Sequence, residues 1–504
     1  MTVETELKLR INPEHLAKLR RHALLRELQI APPRTHKLYS IYYDTPAMDL
    51  HKSAMALRMR RDGRNWMQTL KGGGSVNAGL HRRNEWEVPV KSGALDFDMP
   101  LDDEWHQHLP KSLRKKLKPV FVTDFSRNSR MLMWKGAQIE LCIDHGLVTT
   151  ERDNVNLCEL ELELKSGESR QLFELALALL EIVPFELETV SKAERGYRLL
   201  SGHVDRPCKA VAVEVCKRDS LSEILQAQIW SCVAHFQSNL AGALQVEDAE
   251  YLHQARVALR RMRVLLRMTE QLKADRQLSE LVNAISALGV VLGRIRDLDV
   301  FIADTLHPMC CSGFNDDTGL KTLLSLSMRQ RTSLLRLLND EARSGKFERL
   351  TLGLAMFLSG PYWGPHEFPH ARDFATDRMH KLSGRFLRNA KHLETLDEYG
   401  LHALRILAKK LRYSAETFAG LYDRKKVRSF VAALSVAQDV LGKIHDATVA
   451  RRLLDELAGA PESLHLNEAL ILAKGWIARE RAIQIVALGG VINSYLKQSS
   501  YFGF

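Results

Sequence analysis

The chain has 504 residues, a formal net charge of +11 and a sequence pI near 9.2. This length is too great for a single core by the usual domain sizes, so two or three units are expected. The apolar and charged fractions, 45% and 26%, are ordinary for a soluble globular protein. The basic excess favours an anionic partner such as nucleic acid, a membrane surface or polyphosphate, although a mildly basic enzyme would carry the same charge.

The seven cysteines argue against two kinds of stabilising site. Their number is odd and no pair has C-x-x-C spacing, which disfavours a disulfide framework and a structural zinc site. We therefore expect reduced thiols. A charged strand begins the chain, and no uninterrupted apolar run reaches the ~18 residues of a membrane span. We expect neither a signal peptide nor a membrane partner.

Alternating polar and apolar residues dominate the first two hundred positions. Such alternation is typical of strands, and turns rich in Gly, Asn and Asp separate several segments. Helical patterns interrupt at 13–28, which Asn12 caps with Pro13 at the first helical position, and at 168–181. The pattern predicts an antiparallel α+β unit or a barrel over residues 1–204. The predicted strands are 3–10, 38–44, 55–61, 66–71, 81–90, 119–127, 131–134, 138–144 and 157–165.

After Pro207 the pattern changes to long amphipathic helices with few strand signals. We predict a linker at 205–218 and an all-α domain at 219–504. This domain is duplicated, because His253 and His402 are 402 − 253 = 149 residues apart and the same offset relates LGRIRD at 292–297 to LGKIHD at 441–446. Two blocks in register predict two helical bundles, 219–360 and 366–500, related by a pseudo-twofold axis.

Several predicted strands separate charged from apolar residues. Residues 4–10 (ETELKLR) and 159–165 (ELELELK) place their charges on one face and apolar side chains on the other. One such strand alone is usually a half-solvated sheet face. Here Arg58 and Arg60 also share a face, as do Glu140 and Asp144. A barrel with a polar interior and helices packed outside would explain all of them.

Acids and bases that face one cavity suit a metal ion together with phosphate. Clustered carboxylates repel each other, and a divalent cation relieves that repulsion. Mg²⁺ or Mn²⁺ prefers oxygen ligands and bridges phosphate oxygens, while arginine offers forked donors to phosphate. No Walker-type loop is present, because GGG at 72–74 lacks the following Lys-Ser/Thr.

The strand motifs resemble those of the CYTH, or triphosphate tunnel metalloenzyme, superfamily. The resemblance rests on an ordered set of motifs over roughly residues 1–204: ExExK at 4–8, IYYDTP at 41–46, LRMR at 57–60, TLK at 69–71, TDFSR at 123–127, IELCID at 139–144, ELELE at 159–163 and SK at 191–192. It implies an eight-stranded antiparallel tunnel that hydrolyses or rearranges triphosphates with a divalent metal.

The same resemblance implies roles for individual residues. The implied metal ligands are Glu4, Glu6, Asp144, Glu159 and Glu161. The implied phosphate-binding residues are Lys8, Arg58, Arg60, Lys71, Arg127 and Lys192, of which Lys8, Arg58 and Arg60 would also act in catalysis. Arg130 competes with Arg127 for one phosphate role. The group that activates the attacking water stays open among the carboxylates and Lys8.

A stripe of basic residues recurs in the helical half. Its spacing of three and four residues places the bases on one helix face, with almost no acids between them. A basic helix face is usually solvated, but two register-matched copies indicate an anionic partner. The first copy is His253, Arg256, Arg260, Arg263 and Arg267, and the second is His402, Arg405, Lys409 and Arg412.

The H-x-x-R-x-x-x-[RK]-[RK]-x-R arrangement of both copies resembles the CHAD domain, an α-helical domain often joined to CYTH. The resemblance covers roughly residues 219–500 and implies binding of inorganic polyphosphate. His445 stands where the first copy has Arg296, so the copies need not contribute equally. The implied binding residues are His253, Arg256, Arg260, Arg261, Arg263, His402, Arg405, Lys409, Lys410 and Arg412.

We therefore predict an Mg²⁺- or Mn²⁺-dependent inorganic triphosphatase that converts tripolyphosphate to pyrophosphate and phosphate and carries a C-terminal polyphosphate-binding domain. The fusion resembles bacterial inorganic triphosphatases. One alternative is a tunnel that acts on an organic triphosphate, such as thiamine triphosphate or a nucleoside triphosphate. Another is a non-catalytic polyphosphate-binding protein. Nucleic acid is not the expected partner, and the expected location is the cytoplasm, with polyphosphate granules as a further site of association.

Overall fold

The structure is a computed structural model that describes residues 2–98, 103–245, 248–312, 317–364, 368–459 and 466–499. Residues 501–504, the aromatic C-terminus, lie outside these ranges. The chain forms two compact units. The first contains Met1–Asp205 and Glu341–Tyr362, and the second contains Arg206–Asp340 and Trp363–Phe504.

A closed antiparallel barrel forms the first unit. Over the described residues its strands, β1 to β9, are Thr2–Arg10, Arg34–Asp44, Met55–Asp62, Asn65–Asn77, Leu80–Val90, Lys118–Trp134, Ala137–Thr149, Asn154–Ser166 and Glu186–Leu187. The sheet order is β5-β4-β3-β2-β6-β7-β8-β1-β9, and β5 also pairs with β1, which closes eight strands into a ring. The short β9 pairs with β1. The predicted eight-stranded tunnel is confirmed.

Short helices accompany the barrel. Those described before residue 205, α1 to α7, are Leu16–Arg21, Ala23–Leu28, Asp49–Lys52, Asp103–His108, Lys111–Arg114, Ser169–Leu180 and Lys192–Ser201. The sequence predicts one helix over 13–28, but His22 has an extended backbone (φ −67°, ψ 142°) and separates α1 from α2. Its ring nitrogen accepts a hydrogen bond from Leu24 N at 3.2 Å, so His22 caps α2.

Both faces of the barrel strands are buried, for different reasons. On β1, Leu7 and Leu9 are fully buried on the outer face, which α6 covers. Glu6 and Lys8 point to the opposite face, where they line an internal cavity and are only 6% and 4% exposed. The two-residue period of the strand therefore separates an apolar wall from a charged interior.

The second unit is helical over its described residues. Helices α8 to α17 are Leu221–Gln245, Ala249–Leu272, Arg276–Phe301, His307–Cys311, Thr318–Arg343, Lys346–Leu358, Ala371–Lys391, Glu398–Thr417, Arg424–Ala458 and Asn467–Ser499, of which α13 belongs to the first unit. A π-helical turn, Ile302–Leu306, joins α10 to α11. The segment predicted as a linker, 205–218, has no described helix or strand. The side chain of Asn239 bonds both Cys208 N (2.9 Å) and Cys208 O (3.0 Å).

The duplicated sequence blocks occupy matching helices. The two basic stripes lie on α9 and α15, and the LGRIRD and LGKIHD blocks lie on α10 and α16. One hydrophobic cluster contains Leu298 and Phe301 of α10 together with Leu453 and Leu454 of α16. The two copies therefore share part of their core.

One helix from the C-terminal half packs on the barrel unit. The sequence places residues 341–362 in the all-α domain, but α13 packs against α6 and belongs to the first unit. Gly345, with φ of +74°, approaches Leu180, and the Arg349 guanidinium pairs with Glu181. Helix α13 buries Phe347 and Leu352. Helix α13 buries its apolar face by packing on α6, and this explains why it belongs to the first unit although it lies in the C-terminal half of the sequence.

One stretch, Arg276–Cys311, is long and apolar enough to cross a membrane, with a mean hydropathy of 1.5 over its best window. That window is 44% buried inside the protein. Core helices of soluble proteins satisfy the same length and composition criteria, so this is weak support for a membrane segment.

Candidate functional site

Three buried carboxylates form an acid cluster in the barrel. Asp144 lies on β7, Glu159 and Glu161 lie on β8, and the register places Asp144 opposite Glu159. Each contributes an oxygen within 4.8 Å of the others. Buried carboxylate oxygens at this spacing suit a hard divalent cation, which prefers oxygen ligands.

Lys192 is the central cation of this cluster. Its Nζ lies 2.8 Å from Asp144 Oδ2 and 2.8 Å from Glu161 Oε1, and it also contacts Glu159. Lys192 begins helix α7, directly after the N-cap Ser191, whose hydroxyl accepts a hydrogen bond from Glu194 N at 3.1 Å. The cap fixes where the helix begins and so fixes the lysine over the acids.

Close packing of α7 on the barrel wall holds Lys192 in place. Gly196 faces the ring of Phe121, and a Cβ at this position would lie 2.2 Å from the ring. The next residue, Tyr197, donates a hydrogen bond from its hydroxyl to Asp44 Oδ2 at 2.9 Å. The helix therefore approaches the sheet only because position 196 has no side chain.

Two further cations reach the acid cluster from other strands. Arg127 on β6 donates from Nε to Asp144 Oδ1 (2.8 Å) and from Nη2 to Asp144 Oδ2 (2.6 Å), and it contacts Glu161. Lys8 lies 2.8 Å from Glu6 and also contacts Glu161. The alternative candidate, Arg130, instead donates to the Arg20 carbonyl at 3.1 Å, so Arg127 is the one of the two that reaches the site.

The charges of the cluster perturb each other's protonation. Burial opposes ionisation of Glu161, but Lys192 and Lys8 hold its pKa well below the usual range. Burial, together with the like charge of Glu161, raises the pKa of Glu159, although its contact with Lys192 opposes this shift. Burial also disfavours the ammonium form of Lys192, yet the three carboxylates raise its pKa overall. These acids and bases share one low-dielectric site, in which the protonation of one group affects that of its neighbours.

Opposite the acids, β3 presents an arginine wall, defined as Arg58 and Arg60. Arg58 Nη2 lies 3.7 Å from Glu85 and 4.0 Å from Glu87, and its buried Nε has no hydrogen-bond partner. Arg60 Nε reaches only the Ser40 hydroxyl, at 3.4 Å. Burial, with Arg58 and Arg127 nearby, lowers the pKa of Arg60 to about 10. Among the described residues Arg58 has only these two long carboxylate contacts and Arg60 has none within ion-pair distance, which favours an anion beside them.

Glu161 of the acid cluster and both residues of the arginine wall line one cavity of about 200 Å³. Glu4 and Glu161 both line it, so the charged rows converge as the sequence predicts. Glu4 bonds Lys71 (2.5 Å) and lies outside the group of closely spaced carboxylates found among the described residues. The implied site residues that line the cavity are Glu4, Glu6, Lys8, Arg58, Arg60, Lys71, Arg127, Glu161 and Lys192, while Asp144 and Glu159 are fully buried and contact Lys192.

Sequence reasoning missed some members of this site. Arg195 donates from Nη2 to Glu159 (3.2 Å) and Glu188 (2.8 Å). It lies one helical turn after Lys192, and that i+3 spacing was an available signal. Tyr42 lines the cavity beside Arg58 and Arg60, which lower its phenol pKa against the effect of burial. Its position inside the IYYDTP motif gave no chemical hint.

In the second unit, the two basic stripes meet in an inter-repeat cluster of Arg256, Arg260, Arg405 and Lys409. Arg260 Nε donates to the Tyr413 hydroxyl at 2.7 Å, and the buried Arg405 Nε has no hydrogen-bond partner. Asp297 and Asp446 are nearby acids, yet none of the four bases lies within ion-pair distance of a carboxylate over the ranges described. Burial, with Arg260 and Arg405, lowers the pKa of Lys409 to about 6.

The remaining predicted stripe residues diverge. His402 Nδ1 lies 3.4 Å from His445 Nδ1, in a cavity of about 290 Å³. Burial and Arg296 lower the pKa of His253. Arg412 pairs with Glu416 at 3.5 Å. Arg261 lies near Cys232 and His235 and is not part of the inter-repeat cluster. Arg263 and Lys410 lie near Arg267.

Sequence comparisons agree with this division. The sequence model of the CYTH domain matches residues 2–197, and that of the CHAD domain matches residues 227–455. The chain carries a CYTH domain followed by a CHAD domain. The resemblance of both halves is therefore confirmed, and the CYTH barrel and the CHAD helices can be discussed under these names.

Two known proteins are similar to parts of this chain. An inorganic triphosphatase of Haemophilus influenzae is 33% identical over 208 residues, which are 40% of this chain and 55% of that protein. The chain thus matches about half the length of this curated relative. The crystal structure of the CHAD domain from the plant Ricinus communis is 29% identical, with a TM-score of 0.51 over 57% of this chain and 96% of that domain.

Proposed function

We propose that the CYTH barrel hydrolyses inorganic triphosphate to pyrophosphate and phosphate. One observation carries the proposal: Glu161 of the buried acid cluster and the two residues of the arginine wall line the same cavity of about 200 Å³. The similarity of 208 residues of this chain to an inorganic triphosphatase supports it. Water would attack a terminal phosphoryl group while the surrounding cations stabilise charge on its oxygens.

The acid cluster would hold Mg²⁺ or Mn²⁺. When bound, such an ion would neutralise negative charge on the phosphate groups of the substrate. The donor set fits, because all three side chains offer carboxylate oxygens and none offers the nitrogen or sulfur that softer metals prefer. Lys8, Lys192 and Arg127 keep Glu161 ionised, since its low pKa reflects these contacts.

The arginine wall would bind and orient the substrate. Arg58 and Arg60 line the cavity, and the carboxylates nearest Arg58 lie 3.7 and 4.0 Å away, whereas Arg127 is already paired with Asp144 at 2.6 Å. Tyr42 lies opposite Arg58 in the register of β2 and β3 and would help to hold its guanidinium group. Lys71, bonded to Glu4 and Glu85, completes this side.

An inorganic substrate fits the cavity better than an organic triphosphate. Tyr42 is the one aromatic residue among the described lining side chains, and its ring is stacked on Phe121 with centroids 4.6 Å apart. A nucleobase or thiazole ring would find no free aromatic surface there. The other lining residues are mostly charged, which suits a ligand that is phosphate throughout.

A substrate panel tests this assignment. Phosphate release is measured for the full chain on tripolyphosphate, ATP and thiamine triphosphate, with Mg²⁺ or Mn²⁺. We expect the highest kcat/KM on tripolyphosphate. A higher value for either organic substrate would replace the inorganic assignment with the organic one, and no turnover on any substrate would leave only a binding role.

For the CHAD domain we propose binding of inorganic polyphosphate. The support is the inter-repeat cluster, in which four bases from two helices approach each other without a paired acid among the described residues. Unpaired like charges repel, so such a cluster is tolerated chiefly where it meets an anion. Binding of labelled long-chain polyphosphate is compared with RNA at matched phosphate concentration, and stronger RNA binding would overturn the proposal.

A further inference from the structure

A second cation cluster lies beside the inter-repeat cluster. It consists of Arg263 and Arg267 of α9, Arg378 and Arg385 of α14, and Lys410 of α15. Burial and the four arginines together lower the pKa of Lys410. Four arginines from two helices are therefore close enough to Lys410 to repel its charge, and two of them, Arg378 and Arg385, belong neither to the predicted stripes nor to the implied binding residues.

This second cluster has no paired acid. Over the described ranges, none of its five members forms an ion pair with a carboxylate. Arg378 is half-buried and bonds only neutral groups, with Nε donating to the Ser414 hydroxyl (3.0 Å) and Nη1 to Gln271 Oε1 (3.3 Å). By contrast, half-buried Arg331 of the same unit pairs with Asp299 at 2.5 Å. Keeping Arg378 charged in a half-buried position without a counter-charge costs free energy. A bound anion would provide that counter-charge.

The two clusters are continuous along the helices. Lys409 and Lys410 are adjacent on α15, and Arg263 and Arg267 follow Arg260 on α9. The rise of an α-helix places Arg267 roughly 10 Å from Arg260 along the axis. A polyanion bound at the first cluster could extend along α9 to the second.

Only the second sequence copy has this extension. Helix α8, which precedes the stripe helix α9, contains no lysine or arginine over Leu221–Gln245. Helix α14, which precedes the stripe helix α15, carries several, among them Arg378 and Arg385. The duplication therefore does not predict these two arginines. Their placement breaks the pseudo-symmetry on one side of the polyanion site.

We propose that the second cation cluster binds further phosphate units of a chain held at the inter-repeat cluster, so that the CHAD domain prefers long polyphosphate to short. This inference rests on the polyphosphate-binding function proposed above. It adds Arg378 and Arg385 as ligand-binding residues and makes chain length the property that the domain selects. A short chain fills the first cluster alone, whereas a long chain contacts both.

The test compares two double variants with the same loss of charge on α14. Arg378→Gln/Arg385→Gln removes bases of the second cluster, and Arg372→Gln/Lys391→Gln removes bases that are not among the charges acting on Lys410. Affinity for long and short polyphosphate is measured in the full chain at several salt concentrations. Thermal melting and tripolyphosphate hydrolysis confirm that each variant is folded.

We expect the first variant to bind long chains at least about tenfold more weakly and to reduce the salt slope by roughly 1 to 2, because fewer counterions are released. Its affinity for short chains and the control variant's affinity for long chains should stay near wild type. Because Arg378 is half-buried, Arg267→Gln/Arg385→Gln repeats the test at exposed positions.

The outcomes distinguish binding at the second cation cluster, called the extension here, from the polyphosphate-binding function on which it rests. Wild-type binding to long polyphosphate with no loss in either cluster variant would overturn the extension and leave the polyphosphate function standing. An equal loss in the α14 control would also overturn it, because general electrostatic attraction would then explain the data. No binding by the wild type would overturn both.

Discussion

Lys192 Nζ lies 2.8 Å from Asp144 Oδ2, and this contact joins the first residue of helix α7 to barrel strand β7. The same ammonium contacts Glu159 and Glu161, so a single side chain pairs with all three members of the acid cluster. A tethered cation therefore occupies the centre of the group of carboxylates best arranged for a metal. This relationship makes the stability of the barrel depend on Lys192 whenever metal is absent.

Replacing Lys192 with Met should destabilise the metal-free protein. Removing one partner of a buried ion pair typically costs about 3–5 kcal/mol, because the remaining charges stay buried without compensation. The barrel transition should fall by roughly 10 °C in chelator, and Mn²⁺ should stabilise the variant more than the wild type. Lys135→Met removes an exposed lysine paired with Glu174 and is the control. Equal effects of Mn²⁺ on both proteins would contradict the assignment.

Replacing Arg60 with Gln should weaken substrate binding without weakening the fold. Loss of a hydrogen bond from a charged donor is worth about 1.5–3 kcal/mol, so kcat/KM should fall roughly ten- to a hundredfold. Stability should hold or rise, because burial and Arg58 already disfavour this charge and hold its pKa at about 10. Arg130→Gln, outside the cavity, should keep full activity. Steady-state kinetics on tripolyphosphate and thermal melts check both statements.

Adding a methyl group at Gly196 should displace the helix that carries Lys192. The new Cβ would lie 2.2 Å from the Phe121 ring, an overlap that typically costs about 1–3 kcal/mol. Both the melting temperature and kcat should fall. Phe121→Leu in the same chain should recover part of each. Gly289→Ala on α10, with open space around it, should instead stabilise by up to about 1 kcal/mol. If Gly196→Ala were as neutral as this control, the close approach of α7 would be wrong.

Polyphosphate binding should weaken as pH rises above 7. The pKa of Lys409 is lowered to about 6 by burial and by Arg260, Arg405 and Arg256, with Asp446 opposing. A bound polyanion restores the ordinary preference of lysine for its charged form, so binding takes up a proton and is favoured at low pH. Histidines, with ordinary pKa values near 6.5, contribute mainly below this window. Affinity is measured between pH 7 and 8.5 at constant ionic strength, where Lys409→Met should flatten the profile.

The same lowered pKa has the opposite consequence for the ligand-free fold. Lysine in the unfolded chain binds a proton below about 10.5, whereas Lys409 in the native cluster binds it only below about 6. The unfolded state therefore holds more protons between these values, and stability contributed by this group rises with pH. Unchanged wild-type and Lys409→Met melting profiles across this range would contradict the cluster geometry.

The charged interior could be predicted because strand geometry leaves little freedom. Once residues 4–10 are a strand, Glu6 and Lys8 must share a face, and Leu7 and Leu9 must share the other. Closure of the barrel could be expected from several such strands together, since each needs a place for its charges away from the apolar wall. Because residues 128–130 are polar, two strands, 119–127 and 131–134, are predicted where the structure has one. In the structure β6 is continuous there, because its pairing with β7 runs from Val122 to Trp134.

Contacts between distant elements could not be predicted in the same way. Nothing in the sequence of α13 shows that its apolar face would cover α6 instead of a helix of its own half. Arg378 and Arg385 lie on α14, and their approach to Lys410 depends on how three helices pack. Periodicity specifies which face of an element is apolar, while the partner of that face is chosen by tertiary packing.

All seven cysteines are free, in keeping with their odd number.

The most direct measurement compares phosphate release from tripolyphosphate by the wild-type chain and by Glu159→Gln/Glu161→Gln, each with added Mg²⁺ or Mn²⁺. Glu14→Gln, an exposed change on the outside of the barrel, is the control, and thermal melts establish that all three proteins are folded. We predict metal-dependent hydrolysis by the wild type and the control, and none above background by the double variant. Undiminished hydrolysis by a folded double variant would show that the reaction does not depend on the acid cluster.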